Sequence, residues 1–244
     1  MKPDDSAPDR TPAPGGQSTG VARLGDNSDA LTGTAEGAGA DPAGATVEAL
    51  ARALELHDYR RGGFGETSAH LQQVTRLALR LAAAVAPHLV ADPQLEHGFR
   101  LHDIGMIGVS NEILLKHGPL SPDEMAEVCE HPYLGERIVA AVWPLSGVAR
   151  QVIASHHERW DGSGYPRGLA ASDIPLAARI FSVIDAFDAM THNQPYRDAI
   201  PAQLALVEIR EKAGSQFDPT IAVHFADIWP ELDDGRPPAA SASR

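Results

Sequence analysis

A chain of 244 residues is long enough for one sizeable domain with tails. With 33 acidic against 20 basic side chains and a formal charge of −13, it argues against a general nucleic-acid binder, which presents a basic face. A small phosphate ligand stays open, because bound cations reverse the sign locally. The single cysteine, Cys129, excludes a disulfide framework and a thiolate metal cage. No apolar run approaches the ~20 residues of a membrane span, and Met1-Lys2-Pro3-Asp4-Asp5 has no apolar stretch behind a basic flank. A cytoplasmic protein without membrane contact is expected.

Residues 1–45 are rich in Pro, Gly, Ala, Ser, Thr and Asp, with Val21, Leu24 and Leu31 standing alone. Such a segment buries too little apolar surface to offset its ordering entropy, so a disordered arm is expected, and residues 231–244 read the same way. A folded unit over 46–230 remains. Val47, Leu50, Ala51, Leu54 and Leu56 suggest a short helix before Asp58, followed by a loop from Tyr59 to Gly65. Leu71, Val74, Leu77, Ala78, Leu81 and Val85 recur at spacings of three and four, predicting an amphipathic helix that ends near Pro87. Asp92-Pro93 is the start of a helix running toward Gly105. Ser121-Pro122-Asp123-Glu124 is a capping box, and the helix it opens should be disturbed at His131-Pro132. Further helices are predicted over Val148 to His157, around Ile174 to Ile184, from Pro201 to Gly214, and from Asp218-Pro219 onward. With no paired strand-like runs and no repeat, the domain is expected to be all-α.

Several of the eleven histidines stand beside a second ligand type. His102-Asp103 closes the apolar Phe99-Arg100-Leu101 stretch, and His156-His157-Glu158 follows Val152-Ile153-Ala154. Adjacent helical residues project about 100° apart, so such a pair reaches one pocket from two angles and suits two neighbouring metals. Two-metal hydrolases hold their ions about 3.5–4 Å apart. A lone histidine is more often a surface or packing residue, and His88, His97, His117, His192 and His224 are read that way. His57-Asp58 repeats the dipeptide but ends a helix before a glycine loop, and is placed outside the site. Asp185, within Ile180-Phe181-Ser182-Val183-Ile184-Asp185-Ala186-Phe187, is expected to be buried and to need a cation. The cation is either a metal or, more simply, Arg179 or Arg197. Asp188, one turn on, is expected to orient a metal-bound histidine.

The combination of Leu101-His102-Asp103-Ile104-Gly105, His131-Pro132 and His156-His157-Glu158-Arg159-Trp160-Asp161-Gly162-Ser163-Gly164-Tyr165-Pro166 resembles the HD-GYP family. Asp188-Ala189-Met190-Thr191, Pro195-Tyr196-Arg197 and Gln216-Phe217-Asp218-Pro219 continue the resemblance, which covers about residues 46–228. It implies a helical HD-superfamily bundle with two or three divalent metal ions. By the same resemblance His102, Asp103, His131, His156, His157 and Asp185 match metal positions, His70 matches the histidine of the preceding helix, and Glu66 matches the acid of three-metal members. Asp103 is the implied bridging and catalytic carboxylate. Nitrogen and oxygen donors suit Fe, Mn or Zn without choosing among them. The Gly164-Tyr165-Pro166 loop and Arg197 are the implied substrate contacts, although the loop reads equally well as a structural turn.

The implied activity is hydrolysis of cyclic di-GMP to pGpG or GMP. Two departures remove positive charge: Met106 stands where the family usually has lysine, and Gln194 where it usually has arginine. A lost hydrogen bond to a charged phosphate costs about 1.5–3 kcal/mol, so slow turnover is expected. Two alternatives stay open: a metal-binding module of weak activity that signals through a protein such as a diguanylate cyclase, and a phosphohydrolase for another nucleotide. Cyclic di-GMP or a related nucleotide is the expected ligand, a homodimer is compatible, and polymeric nucleic acid is not expected.

Overall fold

Regular structure in the computed structural model, which describes residues 42–59, 68–142, 145, 147–193 and 198–232, is helical, with only two isolated β-bridges among those residues. The all-α expectation holds. The arm before residue 42, the tail after 232, Glu66, Gln194 and Arg197 lie outside the described residues.

Helix α1 (Pro42–Tyr59) begins before the boundary expected at residue 46. Helix α2 (Ser68–Val85) buries Leu71, Val74, Ala78, Leu81 and Ala82, the face its spacing predicts. A short α3 (Pro87–Val90) starts on the proline that follows α2. Asp92 accepts a hydrogen bond from the Gln94 amide at 2.9 Å and so opens α4 (Gln94–Arg100). That helix stops short of the predicted Gly105. The chain turns through Leu101-His102-Asp103 into a 3-10 stretch, Ile104–Gly108, before a short α5 (Asn111–Leu114).

The Ser121–Glu124 capping box is formed in both directions and opens α6 (Pro122–Val128). As predicted, the helix breaks before His131-Pro132, where α7 (His131–Ala140) starts. After α8 (Val148–Ser155) and a long loop come α9 (Leu176–Thr191), α10 (Ala202–Glu211) and α11 (Pro219–Leu232). Asp218 caps the last of these, accepting from the Thr220 and Ile221 amides at 2.9 and 3.3 Å. No helix among the described residues is long and apolar enough to cross a membrane.

Two hydrophobic cores position the site. The larger joins α2, α4, α9, α10 and α11 through residues such as Leu81, Phe99, Phe181, Ile184 and Phe225. Phe99 and Phe181 stack at 5.0 Å, and fully burying each such ring is worth about 1.5–3 kcal/mol. The smaller core gathers Val47, Leu54, Leu101, Ile104, Val139 and Ile153 beneath α1. Helix α8 serves both, since Val152 packs in the first core and the adjacent Ile153 in the second. The end of α4 does likewise with Phe99 and Leu101. Both segments therefore end where the cores meet, and the residues that follow are His102-Asp103 and His156-His157.

Candidate metal centre

Asp103, His131, His156 and His157 bring one ligand atom each to within 4.8 Å of one another. His131 Nε2 lies 3.1 Å from Asp103 Oδ1, and His156 Nε2 lies 3.4 Å from the same oxygen. Gly105 makes this approach possible: a Cβ there would fall 1.9 Å from the His131 carbonyl oxygen and 2.6 Å from the Gly135 nitrogen. The backbone of α7 thus rests directly on the turn that carries Asp103.

The imidazoles are fixed by backbone carbonyls. His102, His131 and His156 each place Nδ1 against a carbonyl oxygen three residues earlier, at 3.0 Å from Phe99, 2.8 Å from Val128 and 3.0 Å from Ile153. A carbonyl only accepts, so each Nδ1 carries the proton and each Nε2 offers its lone pair. His131 Nε2 and His156 Nε2 nevertheless stand 3.1 Å apart. Two lone pairs at that distance repel unless one ring gains a proton or a cation sits between them. Protonation of His156 is opposed: burial outweighs the neighbouring Asp103 carboxylate and pulls it down to about 4. Burial and the neighbouring His156 hold His157 well below its ordinary value. Asp103 is pushed up by burial, but His102, His131 and His156 outweigh this and keep it well below the usual carboxylate range. An anionic Asp103 beside His156 and His157, whose burial disfavours their charged forms, with the His131 and His156 rings fixed from behind, fits a divalent ion.

His102 and Asp185 flank this cluster. His102 Nε2 is 3.6 Å from Asp103 Oδ2 and 3.9 Å from Asp185 Oδ1. Burial, with the nearby charges of Asp103 and Asp188, pushes Asp185 up to about 6 despite His102. The simpler partner weighed for Asp185, Arg179, is engaged elsewhere: it donates to Asp218 at 2.7 Å and to the Ile174 carbonyl at 2.9 Å.

His70, matched by resemblance to a metal position, reaches Asp188 from α2. Its Nε2 lies 2.9 Å from Asp188 Oδ2, so Asp188 does meet a histidine as expected. His192, read as a solvent or packing residue, joins them, with Nδ1 3.0 Å from Asp188 Oδ1 and its ring 4.5 Å from that of His70. The signal available was the four-residue step from Asp188 to His192, which puts both on one helix face. Burial raises Asp188, but the His192 and His70 hydrogen bonds prevail and lower it. His88 and His117 are exposed, as read from the sequence.

The Gly164-Tyr165-Pro166 loop folds against the end of α8. The Tyr165 ring sits 4.8 Å from the His157 ring, and its amide donates to the His157 carbonyl at 3.2 Å. A Cβ on Gly164 would fall 2.3 Å from the Arg159 nitrogen, so this glycine is required by close packing. Burial pushes the Tyr165 phenol up, leaving it protonated at neutral pH. Sequence reasoning missed the anchor of this loop, Glu158, which is buried and accepts from the Arg167 and Leu169 amides, each at 2.9 Å. Arg167 also donates to Ser155 Oγ at 2.6 Å. Met106, expected to mark an empty place at the phosphate, is half-buried and packs with Leu50 against the smaller core.

A family model described as HD domain matches residues 48–221. The chain belongs to the HD domain family. The HD-GYP resemblance read from the motifs agrees with its relatives. A cyclic di-GMP phosphodiesterase of Thermotoga maritima is 36% identical over 69% of this chain and 46% of its own length. A 3'3'-cGAMP-specific phosphodiesterase of Vibrio cholerae is 33% identical over 68% of this chain and 32% of its own. This HD-domain chain thus spans less than half the length of these curated relatives. An HD-GYP-type protein of Bdellovibrio bacteriovorus shares the fold with a TM-score of 0.53 at 23% identity, over 67% of this chain and 52% of that one.

Proposed function

We propose that this HD-domain chain is a metal-dependent phosphodiesterase that hydrolyses cyclic di-GMP to pGpG, and through the second bond to GMP. The observation that carries the reading is the pair of imidazole lone pairs 3.1 Å apart beside an ionised Asp103. Divalent ions bound there would supply Lewis acidity for a phosphoryl oxygen and make water nucleophilic at neutral pH. Asp103, His131, His156 and His157 would hold them, with His102 and Asp185 at the flank. Iron, manganese and zinc all suit these donors.

The chain's own groups perform the rest. Asp103 stays an anion and offers two oxygens to a shared site. His156 and His157 stay neutral and take up no proton in the working range. Tyr165, a neutral phenol, walls the pocket beside His157, with a ring face for a base and a donor for a phosphate or carbonyl oxygen. Glu158 and Gly164 hold that wall in place. Hydrolysis breaks one P–O3' bond, water adds to phosphorus, and the 3'-oxygen leaves as a hydroxyl.

One observation favours a second reading, a module of weak activity acting through a protein partner such as a diguanylate cyclase: Met106 turns to the core and offers no cation. The deciding experiment supplies cyclic di-GMP and, in parallel, 3'3'-cGAMP to the chain loaded anaerobically with Fe(II) or Mn(II), beside Asp103→Asn. Linear product that vanishes in the variant supports the enzyme, and the preferred nucleotide names the substrate. Full metal occupancy without product from either nucleotide overturns the proposal and leaves the partner-binding module. The cytoplasmic placement and a homodimeric state belong to this same proposal.

A further inference from the structure

We propose that Arg179 is a positioning residue for the pocket wall: paired with Asp218 and lying on Trp160, it clamps the base of the loop that carries Tyr165. The proposal rests on the reading above, in which Tyr165 walls the substrate pocket. It also gives a role to Gln216-Phe217-Asp218-Pro219, a motif that the metal cluster leaves unused.

The loop between α8 and α9 is a lobe with a narrow neck. Trp160 uses both main-chain groups at that neck: its amide donates to the Gln216 carbonyl at 3.0 Å, and its carbonyl accepts from the Ala171 amide at 2.9 Å. The Asp161 amide donates to the Ser215 carbonyl at 2.9 Å, and Asp161 pairs with Ala170 in an antiparallel bridge. Just inside, Gly162 and Gly168 lie close together in the left-handed region, at φ of 80° and 65°. Tyr165 stands midway along the lobe, its ring 4.8 Å from that of His157. A small rotation at the neck therefore moves the phenol across the pocket.

The turn that receives the neck is stiff. The Lys212 carbonyl accepts the amides of Ser215, Gln216 and Phe217 at 3.2, 3.0 and 3.2 Å, and Phe217 is buried in the larger core. Asp218 closes the clamp. One of its oxygens caps α11, and the other accepts from Arg179 Nη1 at 2.7 Å. Arg179 Nε donates to the Ile174 carbonyl at 2.9 Å, where the chain enters α9, and the guanidinium lies 5.8 Å over the Trp160 ring. One planar fork thus holds both ends of the loop and the α10–α11 turn, which the point charge of a lysine does not reproduce. Because Arg179 and Asp185 share α9, the wall and one flank of the metal cluster are set in a common frame. The pair is largely buried, so removal of Arg179 leaves the Asp218 carboxylate without its partner.

The test follows hydrolysis of cyclic di-GMP by the metal-loaded full chain in a double-mutant cycle of Arg179→Gln and Tyr165→Ala, with metal content by elemental analysis. Arg179→Gln should raise KM at least about fivefold, change kcat less than about twofold and keep its metal, since wall contacts made equally in ground and transition states act on KM. In the Tyr165→Ala background the same substitution should change KM by less than about twofold. Should Arg179→Gln fail to fold, Trp160→Leu takes its place, because it removes the ring and leaves the Arg179–Asp218 pair. An unchanged KM, whatever the melting temperature, or an equal KM effect in both backgrounds overturns the proposal in favour of a pair that only stabilises the fold. A wild-type chain that hydrolyses no nucleotide sinks the phosphodiesterase reading instead, and hydrogen exchange then judges the clamp. Amides of residues 158–171 should exchange at least about tenfold faster in Arg179→Gln while those of α2 stay unchanged. Equal exchange in the loop overturns the clamp as well.

Discussion

The two histidine clusters are built on opposite plans. Around Asp103 the rings of His131 and His156 are held from behind by main-chain carbonyls, so their lone pairs are forced toward each other. Around Asp188 the His70 ring meets the carboxylate, and the His192 ring meets both the carboxylate and the Asp188 main-chain carbonyl. The first arrangement is frustrated without a cation, and the second is self-consistent with or without one. The feature that separates the clusters is the close approach of two imidazole nitrogens, 3.1 Å apart, which is not among the contacts described around Asp188.

The comparison breaks most sharply at His156. His156→Ala should lower turnover by more than about 100-fold, beyond the 10–100-fold typical of losses outside the ligand shell, with bound metal lost. An equal loss on His192→Asn would erase the distinction between the clusters. Next comes Gly105→Ala, whose Cβ would meet the His131 carbonyl oxygen at 1.9 Å. Backbone against backbone cannot relax cheaply, so urea denaturation should show a loss of about 3 kcal/mol, the upper end of overpacking.

Asp185, between the clusters, gives a pH test. Its pKa is raised by burial from the ordinary value to about 6, so in the metal-free protein its ionisation opposes folding. That cost grows as pH rises from about 4 to about 6 and stays constant above. Metal-free Asp185→Asn should therefore be more stable than wild type above pH 6, by on the order of 2 kcal/mol, and equal to it near pH 4. Loaded with metal, the order should reverse.

Smaller still, Glu158→Gln replaces one of two acceptors for backbone amides with a donor. A fall of about tenfold in kcat/KM is expected, equivalent to about 1.4 kcal/mol, with metal content unchanged. Met106→Lys should have the least effect, a few-fold at most, because its side chain leaves along the smaller core. A large gain would show that a longer side chain at this position turns back to the phosphate.

Local chemistry was legible in the sequence, and through-space contact was not. The Ser121–Glu124 box, the break at His131-Pro132 and the Asp218 cap stand where residue type alone puts them. The pairs His102-Asp103 and His156-His157 were recognisable because each follows an apolar run that anchors it. The spacing from Asp188 to His192 hints at their contact, but the meeting with His70 depends on α2 crossing the end of α9, which spacing within α9 does not reveal. The role of Glu158 depends on a loop returning to it nine and eleven residues later. The direction of Met106 depends on α1 lying across the turn. Glu66, Gln194 and Arg197 remain matched by resemblance alone, since they lie outside the described residues.

Helix α8 has a mechanical consequence. With Val152 seated in one core and Ile153 in the other, it is a crossbeam fixed at both sides, and His156 stands at its tip. Swelling of either core tilts the beam, and the 3.1 Å gap between His131 and His156 changes with it. The gap stands where both cores bear on one helix, so substitutions at Val152 or Ile153 are the ones expected to shift metal affinity without touching a ligand.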